Sequence, residues 1–549
     1  MSSILTSSNH HSESLRNYFL MALSGFLFGI SFPPNPVGTF AFVAFVPLLL
    51  VLLSSESLSR SLRYFYVMMF VTSCVSLYWI SGIVHLRDNY LLLAGILVLL
   101  SHPVFYFLPI IGFVFIRKSL GERIALFAFP FLWITNEYFR AHTDFAFPWL
   151  TVGNTQTYDL SLIQLASITG VYGISFLVLS FNVIATYLFI QVAQKKWNTL
   201  SLQTGISVLL LLSLYAIPKI TGKQILNEHP KNNIPAHPLR VAIVQPHIDP
   251  WNKWDNSIDF QLTILQEMSR EIIPFRPDII VWPETAIPVY ILEPSNEVYK
   301  KQIVDFVDSN HFSLFTGIPD VKYYDNESSA PSSSRIIKDS DIRYDAFNSS
   351  MLLTPHSEKI QKYAKMALVP FAERVPYADV LHFLDFLEWG VGIGGWGKGK
   401  DTTVFQFQTQ RGTTVRFGNM ICYESIFPQI ASVFTNKDAD FFTVITNDSW
   451  WGNTSGVYQH LRYSVFRAVE NRKWIVRSAN GGVSCFIDPY GRMHNATDFN
   501  TRQVLFKEIE LMKEKTFYSS HPDWFAIWCV IISALFLATA ITKKYFPIT

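Results

Sequence analysis

Three reactive side chains stand at the ends of short apolar stretches: Glu284 in VWPETAIP, Lys365 in KYAKMALVPFAERVPY and Cys422 in GNMICYESIFP. Each has an ordinary explanation alone. A Glu before Thr serves a turn or a cap, a lysine between apolar residues snorkels to water, and a lone cysteine in an apolar strand is a small buried hydrophobe. The combination changes the reading, because Glu, Lys and Cys on three strand edges supply a base, a cation and a nucleophile. A thiol is a weak nucleophile at its free pKa of about 8.5, so a carboxylate to take its proton and an ammonium to favour charge on sulfur are the partners it needs. Glu373 lies eight residues after Lys365, and Glu424 two after Cys422, where it is placed equally to support the nucleophile's turn or to start the next helix.

The elements that must hold these residues alternate. LRVAIVQ (239–245), DIIVWPE (278–284), SLFTGIP (313–319), TTVRFGNMICYE (413–424) and FFTVITND (441–448) read as strands. Helical periodicity covers about 256–272, 296–309 and 456–473, and further extended pieces lie near 346–355, 482–489 and 503–510. This pattern predicts a layered α/β or α+β sandwich. Residues 321–345, rich in Ser, Asp and Tyr, and the glycine-rich 388–401 with Trp389 and Trp396 read as loops, the second as a lid with its tryptophans at a lipid interface.

The rest of the chain is of another kind. Of the 549 residues 50% are hydrophobic and only 16% charged, with a mean hydropathy of +0.23; soluble domains carry roughly 25% charged residues. Apolar stretches at 18–33, 39–53, 64–85, 90–116, 124–140, 171–193, 202–220 and 524–541 read as membrane spans. The first ends in SFPPNP, not in a cleavage site, and is expected to be retained. The predicted organisation is a membrane domain of seven transmembrane helices over 1–222, a catalytic domain over 223–520, and a final transmembrane helix with a short tail over 521–549. Arg16, Arg60, Arg63, Arg117, Lys118, Arg123, Lys195, Lys196, Lys543 and Lys544 all fall on one side, which the positive-inside rule makes cytoplasmic. Seven spans then put the catalytic block on the opposite face.

Other classes are excluded on simple grounds. A net charge of +2 without a basic stripe argues against nucleic-acid binding. The four cysteines, Cys74, Cys422, Cys485 and Cys529, lie far apart with no zinc spacing, so neither a metal nor a disulfide scaffold is expected. GIGGWGK and GGWGKGK approach a phosphate loop, but Gly399 or Asp401 follows the lysine where Ser or Thr is needed, so no cofactor is expected.

WPETAIP, YAKMALVPFAERVP and ICYESIFP, in this order, resemble the three signatures of the nitrilase (carbon–nitrogen hydrolase) superfamily. With seven spans before that block and one after, the chain resembles the apolipoprotein N-acyltransferase family over nearly its whole length. NEYFRAHTDFAFPWLTVGN, containing Trp149, is similar to that family's FPW loop, and VAIVQPHIDPWNKW and TNDSWWG followed by QHLRYSVFRAVE also match. Two departures stand out: Ala372 where the family usually has Gly, and a longer stretch at 321–345.

The resemblance implies a polytopic α-helical membrane domain joined to a nitrilase-like α-β-β-α sandwich, and a catalytic triad of Glu284, Lys365 and Cys422. Cys422 would attack an ester of a membrane phospholipid, with Lys365 and the backbone N–H of Tyr423 meeting the oxyanion and Glu284 relaying the proton. The thioester would pass its acyl chain to the N-terminal amine of a diacylglyceryl-cysteine apolipoprotein. Glu373 would orient Lys365, Tyr423 and Glu424 would support the nucleophile, and Trp254, Trp450 and Trp149 would line the lipid side. The implied location is a bacterial inner membrane with the catalytic domain periplasmic. A membrane-anchored amidase acting on a soluble carbon–nitrogen substrate with the same triad is the alternative.

Overall fold

The computed structural model describes residues 10–82, 89–194, 202–230, 238–251, 253, 257–324, 330–331, 334–337, 339–378, 380 and 395–545. Helices fill the first part: α1 (His10–Ile30), α2 (Ala41–Ala44), α3 (Val46–Ser54), α4 (Leu58–Ser76), α5 (Asn89–Ser101), α6 (Phe107–Leu120), α7 (Glu122–Arg140), α8 (Leu160–Ile163), α9 (Ala166–Ala193) and α10 (Leu202–Glu228). A last helix, α16 (Trp524–Tyr545), packs beside α6 and α7. Among the described residues each apolar stretch of the sequence falls largely on helix. Among the described residues four helical runs are long and apolar enough to cross a membrane: Leu91–Leu120, Ala166–Ala193, Leu202–Glu228 and Trp524–Tyr545. Leu209, Leu212, Ile217 and Ile220 of α10 point outward, an apolar face that water would not favour.

The second part is a four-layer sandwich. One sheet has strand order β13-β1-β2-β3-β5-β4, with β6 also on β5. Its strands are β1 (Leu239–Gln245), β2 (Ile279–Val281), β3 (Ser313–Tyr324), β4 (Arg335–Ile336), β5 (Arg343–Leu353), β6 (Gln361–Ala364) and β13 (Gln503–Ile509). The other sheet runs β12-β11-β10-β9-β8-β7, from β7 (Phe405–Gln408), β8 (Thr414–Ile421), β9 (Phe441–Thr446), β10 (Ile475–Ala479), β11 (Cys485–Ile487) and β12 (Met493–His494). Period-two alternation sorts the faces. Val241, Ile243, Ile279 and Val281 turn toward the second sheet, whereas Ala242, Val244 and Ile280 pack on α11 (Ile258–Ile272) and α12 (Glu297–Asn310). On the far side α13 (Pro428–Asn436) and α14 (Ser455–Asn471) cover the second sheet, followed by α15 (Phe517–Ser520).

Each sheet contains a βαβαβ unit of parallel strands: β1, β2 and β3 in one, β8, β9 and β10 in the other. In such sheets ligands bind beyond the carboxyl ends of the strands. That places the chemistry at one end of the sandwich, and there the helical part docks. Gln459 of α14 accepts from the indoles of Trp79 and Trp149 and donates to the carbonyls of Pro33 and Ser76.

Several expectations change. The loop expected over 321–345 is in good part a β-ribbon: β3 and β5 pair antiparallel out to Tyr324 opposite Arg343. Its composition is polar because the ribbon extends past the core, so neither face needs apolar residues. β6, β7, β10 and α13 were not anticipated, the first two because four-residue edge pieces carry little periodicity. The lid residues 388–394, with Trp389, lie outside the described residues. The described end of that segment is packed: Trp396 is buried and its N–H donates to the Glu373 carbonyl. Gly399 runs against β6, where a Cβ would come 2.1 Å from the Ala364 carbonyl oxygen.

Candidate active site

Glu284 lies three residues past the end of β2, in a turn and not in the strand itself. β3 passes directly beneath, and a Cβ at Gly317 would sit 2.4 Å from the Thr285 nitrogen. The turn is strained, with Thr285 at φ +44. A buried lysine absent from the sequence reading, Lys253, holds it by donating to the Glu284 carbonyl at 3.0 Å and to Thr285 Oγ1 at 2.8 Å. Burial, opposed by the Glu284 charge, pulls the Lys253 ammonium down to about 7.

Lys365 follows β6 and is 1% exposed. Its Nζ lies 2.7 Å from Glu373 Oε1 and 3.5 Å from Glu284 Oε1. Burial alone would lower it, but Glu373 and then Glu284 outweigh burial and hold the ammonium above the ordinary lysine range. Asn348 on β5 bridges the two carboxylates, donating from Nδ2 to Glu284 at 2.8 Å and to Glu373 at 3.3 Å. Nothing in the spacing pointed to Asn348; its only signal is a polar residue within the strand AFNSSMLL. Glu373 also accepts from the Val369 N–H, fixing the turn. The left-handed position there is Phe371, at φ +63, and not Ala372. A methyl in place of the family's usual glycine is therefore tolerated.

Cys422 follows β8 directly and opens a short 3₁₀ turn, at φ +52. A non-glycine residue in this region is uncommon, and the strained strand-to-helix turn holds the buried side chain at the sheet's end. Burial first, then the Glu284 charge, push the Cys422 thiol well up, with Lys365 opposing. At rest it is a thiol that needs a base. Glu424 accepts from the N–H groups of Ile421, Met366 and Ala367 and from the Tyr363 hydroxyl. It thus ties the nucleophile's turn to the lysine's strand end. Burial raises this carboxyl to about 7.

The aromatic candidates divide. Tyr423 donates its hydroxyl to the Ala146 carbonyl at 2.7 Å and stacks near Trp149, joining the nucleophile to the helical part. Trp149 is wholly buried among Tyr423, Trp451, His460 and Tyr463. Trp450 is partly exposed and meets Trp251 edge-on at 5.2 Å. Trp254 lies outside the described residues. Cys485 and Cys529 are buried as expected of packing residues, whereas Cys74 is exposed on its helix. Between the 141–146 loop of the helical part and residues 366–376 opens a cavity of about 240 Å³, lined in part by His142, Ala146, Met366, Leu368, Arg374 and Phe427.

Two sheets back to back between helices, with glutamate, lysine and cysteine converging at the strand ends, define a carbon–nitrogen hydrolase fold. Residues 240–516 match the carbon-nitrogen hydrolase family model, and residues 24–184 match that of the apolipoprotein N-acyltransferase N-terminal domain. The chain is 36% identical over 534 residues to the apolipoprotein N-acyltransferase of Chlorobaculum tepidum, covering 96% of this chain and 97% of the relative. It is 32% identical over 535 residues to that of Geobacter metallireducens, covering 96% of each. The chain therefore belongs to the apolipoprotein N-acyltransferase family. Among solved structures it is similar to Saccharomyces cerevisiae Nit3 of the nitrilase superfamily, at 16% identity and a TM-score of 0.36, over 53% of this chain and 97% of that one. An amidase from Nesterenkonia sp. gives 14% identity and a TM-score of 0.36, over 50% and 91%.

Proposed function

We propose that this chain is a membrane acyltransferase that moves a fatty acyl group from a phospholipid, through a thioester on Cys422, to the N-terminal amine of diacylated lipoproteins. One observation carries the reading: Lys365, buried beside both Glu284 and Glu373, meets the strained Cys422 turn at the sandwich end where the helical part docks.

Glu284 takes the thiol proton as sulfur attacks the ester carbonyl. Lys365 and the Tyr423 N–H face the oxyanion; a donor of this kind is worth about 2.7–4 kcal/mol of barrier. Collapse of the tetrahedral adduct expels the lysophospholipid alkoxide, which takes the proton back from Glu284. In the second half Glu284 accepts a proton from the attacking amine, the amide forms and the thiol is restored. Ester to thioester to amide needs no nucleotide. The cavity beside residues 366–376 borders the triad's supporting loops and is suited to part of a lipid, while Trp450 and Trp149 belong to the aromatic surround. The positive-inside charge pattern, read with seven spans before the catalytic block and one after, supports a site outside the cytoplasm, where exported lipoproteins expose a free amine.

The test is a transfer assay with the full chain in phospholipid vesicles and a synthetic diacylated lipopeptide. The expected product is the lipopeptide heavier by one acyl chain, with lysophospholipid formed in equal amount. Release of free fatty acid with no lipopeptide gain would make water the acceptor and the chain a hydrolase. Sidedness is checked by impermeant maleimide on intact cells carrying Ser119→Cys with the exposed Cys74 removed. Protection is expected; labelling would shift the span count by one.

A further inference from the structure

A second buried ionic group touches the nucleophile. Asp448 follows β9, His460 lies on α14 and Arg477 on β10, all three without exposed side-chain surface. Asp448 Oδ1 is 2.9 Å from His460 Nδ1 and also accepts from Thr446 Oγ1 at 2.8 Å, while Asp448 Oδ2 is 2.5 Å from Arg477 Nη2. His460 Nε2 lies 2.9 Å from the Cys422 carbonyl oxygen and 2.9 Å from Ser425 Oγ. Cys422 Sγ, a carboxylate oxygen of Asp448 and a ring nitrogen of His460 all lie within 4.8 Å of one another. By distance these three would suit a cation. Arg477 already fills that position at the carboxylate, and both histidine nitrogens are committed.

The oxygens around the ring decide its state. A backbone carbonyl only accepts, so Nε2 carries hydrogen where it meets Cys422. Although burial alone would raise Asp448, the charges of Arg477 and His460 hold it below the usual carboxylate range, so it too only accepts and Nδ1 carries hydrogen. Arg477 Nη2 also comes within 3.2 Å of Nδ1, but its 2.5 Å contact to Asp448 Oδ2 and the 2.9 Å from Nδ1 to Asp448 Oδ1 are both shorter, so the carboxylate takes a hydrogen from each. We infer that His460 is a doubly protonated positioning residue, held by Asp448, that clamps the Cys422 carbonyl and sets a positive charge beside its sulfur.

The inference rests on Cys422 being the nucleophile, and the charge count gives it a purpose. Lys365 with Glu284 and Glu373 carries one negative charge in excess, and Asp448 with Arg477 and His460 carries one positive charge in excess. Glu424, the remaining acid at this turn, is held by three backbone N–H groups and Tyr363. When the proton passes from Cys422 to Glu284, the first group becomes neutral and the new thiolate faces the second, where His460 and Arg477 must offset the Asp448 carboxylate that lies as close to the sulfur and pushes the thiol up. Thiolate formation thus removes a separation of buried charge. The clamp also holds the left-handed backbone that aims the sulfur.

The direct test uses the intact chain with ¹⁵N-labelled histidine, the His460 signals being assigned by their loss in His460→Gln. Both ring nitrogens should carry hydrogen at pH 7; a bare nitrogen there would overturn the inference. In a Cys74→Ser background, His460→Gln keeps a donor but no charge. Its acylation by phospholipid should slow by about 10- to 100-fold, the span expected for losing a bond to a charged group. Its alkylation by iodoacetamide should require higher pH. An unchanged rate and pH profile in a folded variant would also overturn it, and if the variant does not fold the wild-type spectrum decides. A wild-type chain that never acquires an acyl group on Cys422 would instead refute the functional reading itself.

Discussion

The two ionic groups that flank Cys422 have the same size and opposite excess. Around Lys365 two carboxylates face one cation, bridged by Asn348; around Asp448, Arg477 and the doubly protonated His460 inferred above face one carboxylate. The first is poised to accept a proton and the second to steady the anion left behind. Neither would be stable alone without a compensating partner, since an uncompensated buried charge is strongly destabilising. They belong to different sheets and meet only because the carboxyl ends of β2, β8 and β9 point the same way.

Substitutions that empty one group should separate the two roles. Glu284→Gln removes the proton acceptor, and the acylation of Cys422 should fall by about 10²–10⁴-fold. Stopped-time mass spectrometry of the adduct measures it, and a normal rate would make Glu284 a structural turn residue. Lys365→Met leaves Glu284 and Glu373 facing each other, which should destabilise the chain by about 3–5 kcal/mol. Denaturation in detergent reads this, and an unaltered midpoint would mean the carboxylates repel less than the geometry implies. Asn348→Leu removes one donor shared by two acids. Roughly 10-fold slower acylation is expected from the value of bonds to charged groups, with the apparent phospholipid KM unchanged.

A more gradual effect concerns Lys253 under the Glu284 turn. Its folded value of about 7 lies below the ordinary value of 10.5, so between these pH values the unfolded chain binds the extra proton. Stability should therefore rise with pH across that window, by up to about 1.4 kcal/mol per pH unit, and Lys253→Met should flatten the slope. Parallel pH profiles for the two proteins would show that Lys253 is ionised in the fold.

Much of this was legible in the sequence. Glu284, Lys365 and Cys422 each sit beside a dense apolar stretch, and such stretches must be strands or turns next to strands. The apolar stretches announced the helices because a lipid- or core-facing helix needs a long run of one character. Asn348, Lys253 and His460 were hidden for a common reason. Their roles come from residues 25 to 64 positions away, joined by packing that no local pattern encodes. The strand pairing of 321–324 with 343–346 was missed because a projecting hairpin loses the alternation by which half-buried strands are recognised.

Intact-protein mass spectrometry after incubation with phospholipid alone, before any acceptor is added, tests the central claim most directly. One fatty-acyl mass should appear, map to the peptide containing Cys422, leave with hydroxylamine and be absent from Cys422→Ala. An adduct that persists in Cys422→Ala or maps to Cys485, or a wild-type chain that acquires no acyl mass while lysophospholipid accumulates, would contradict it.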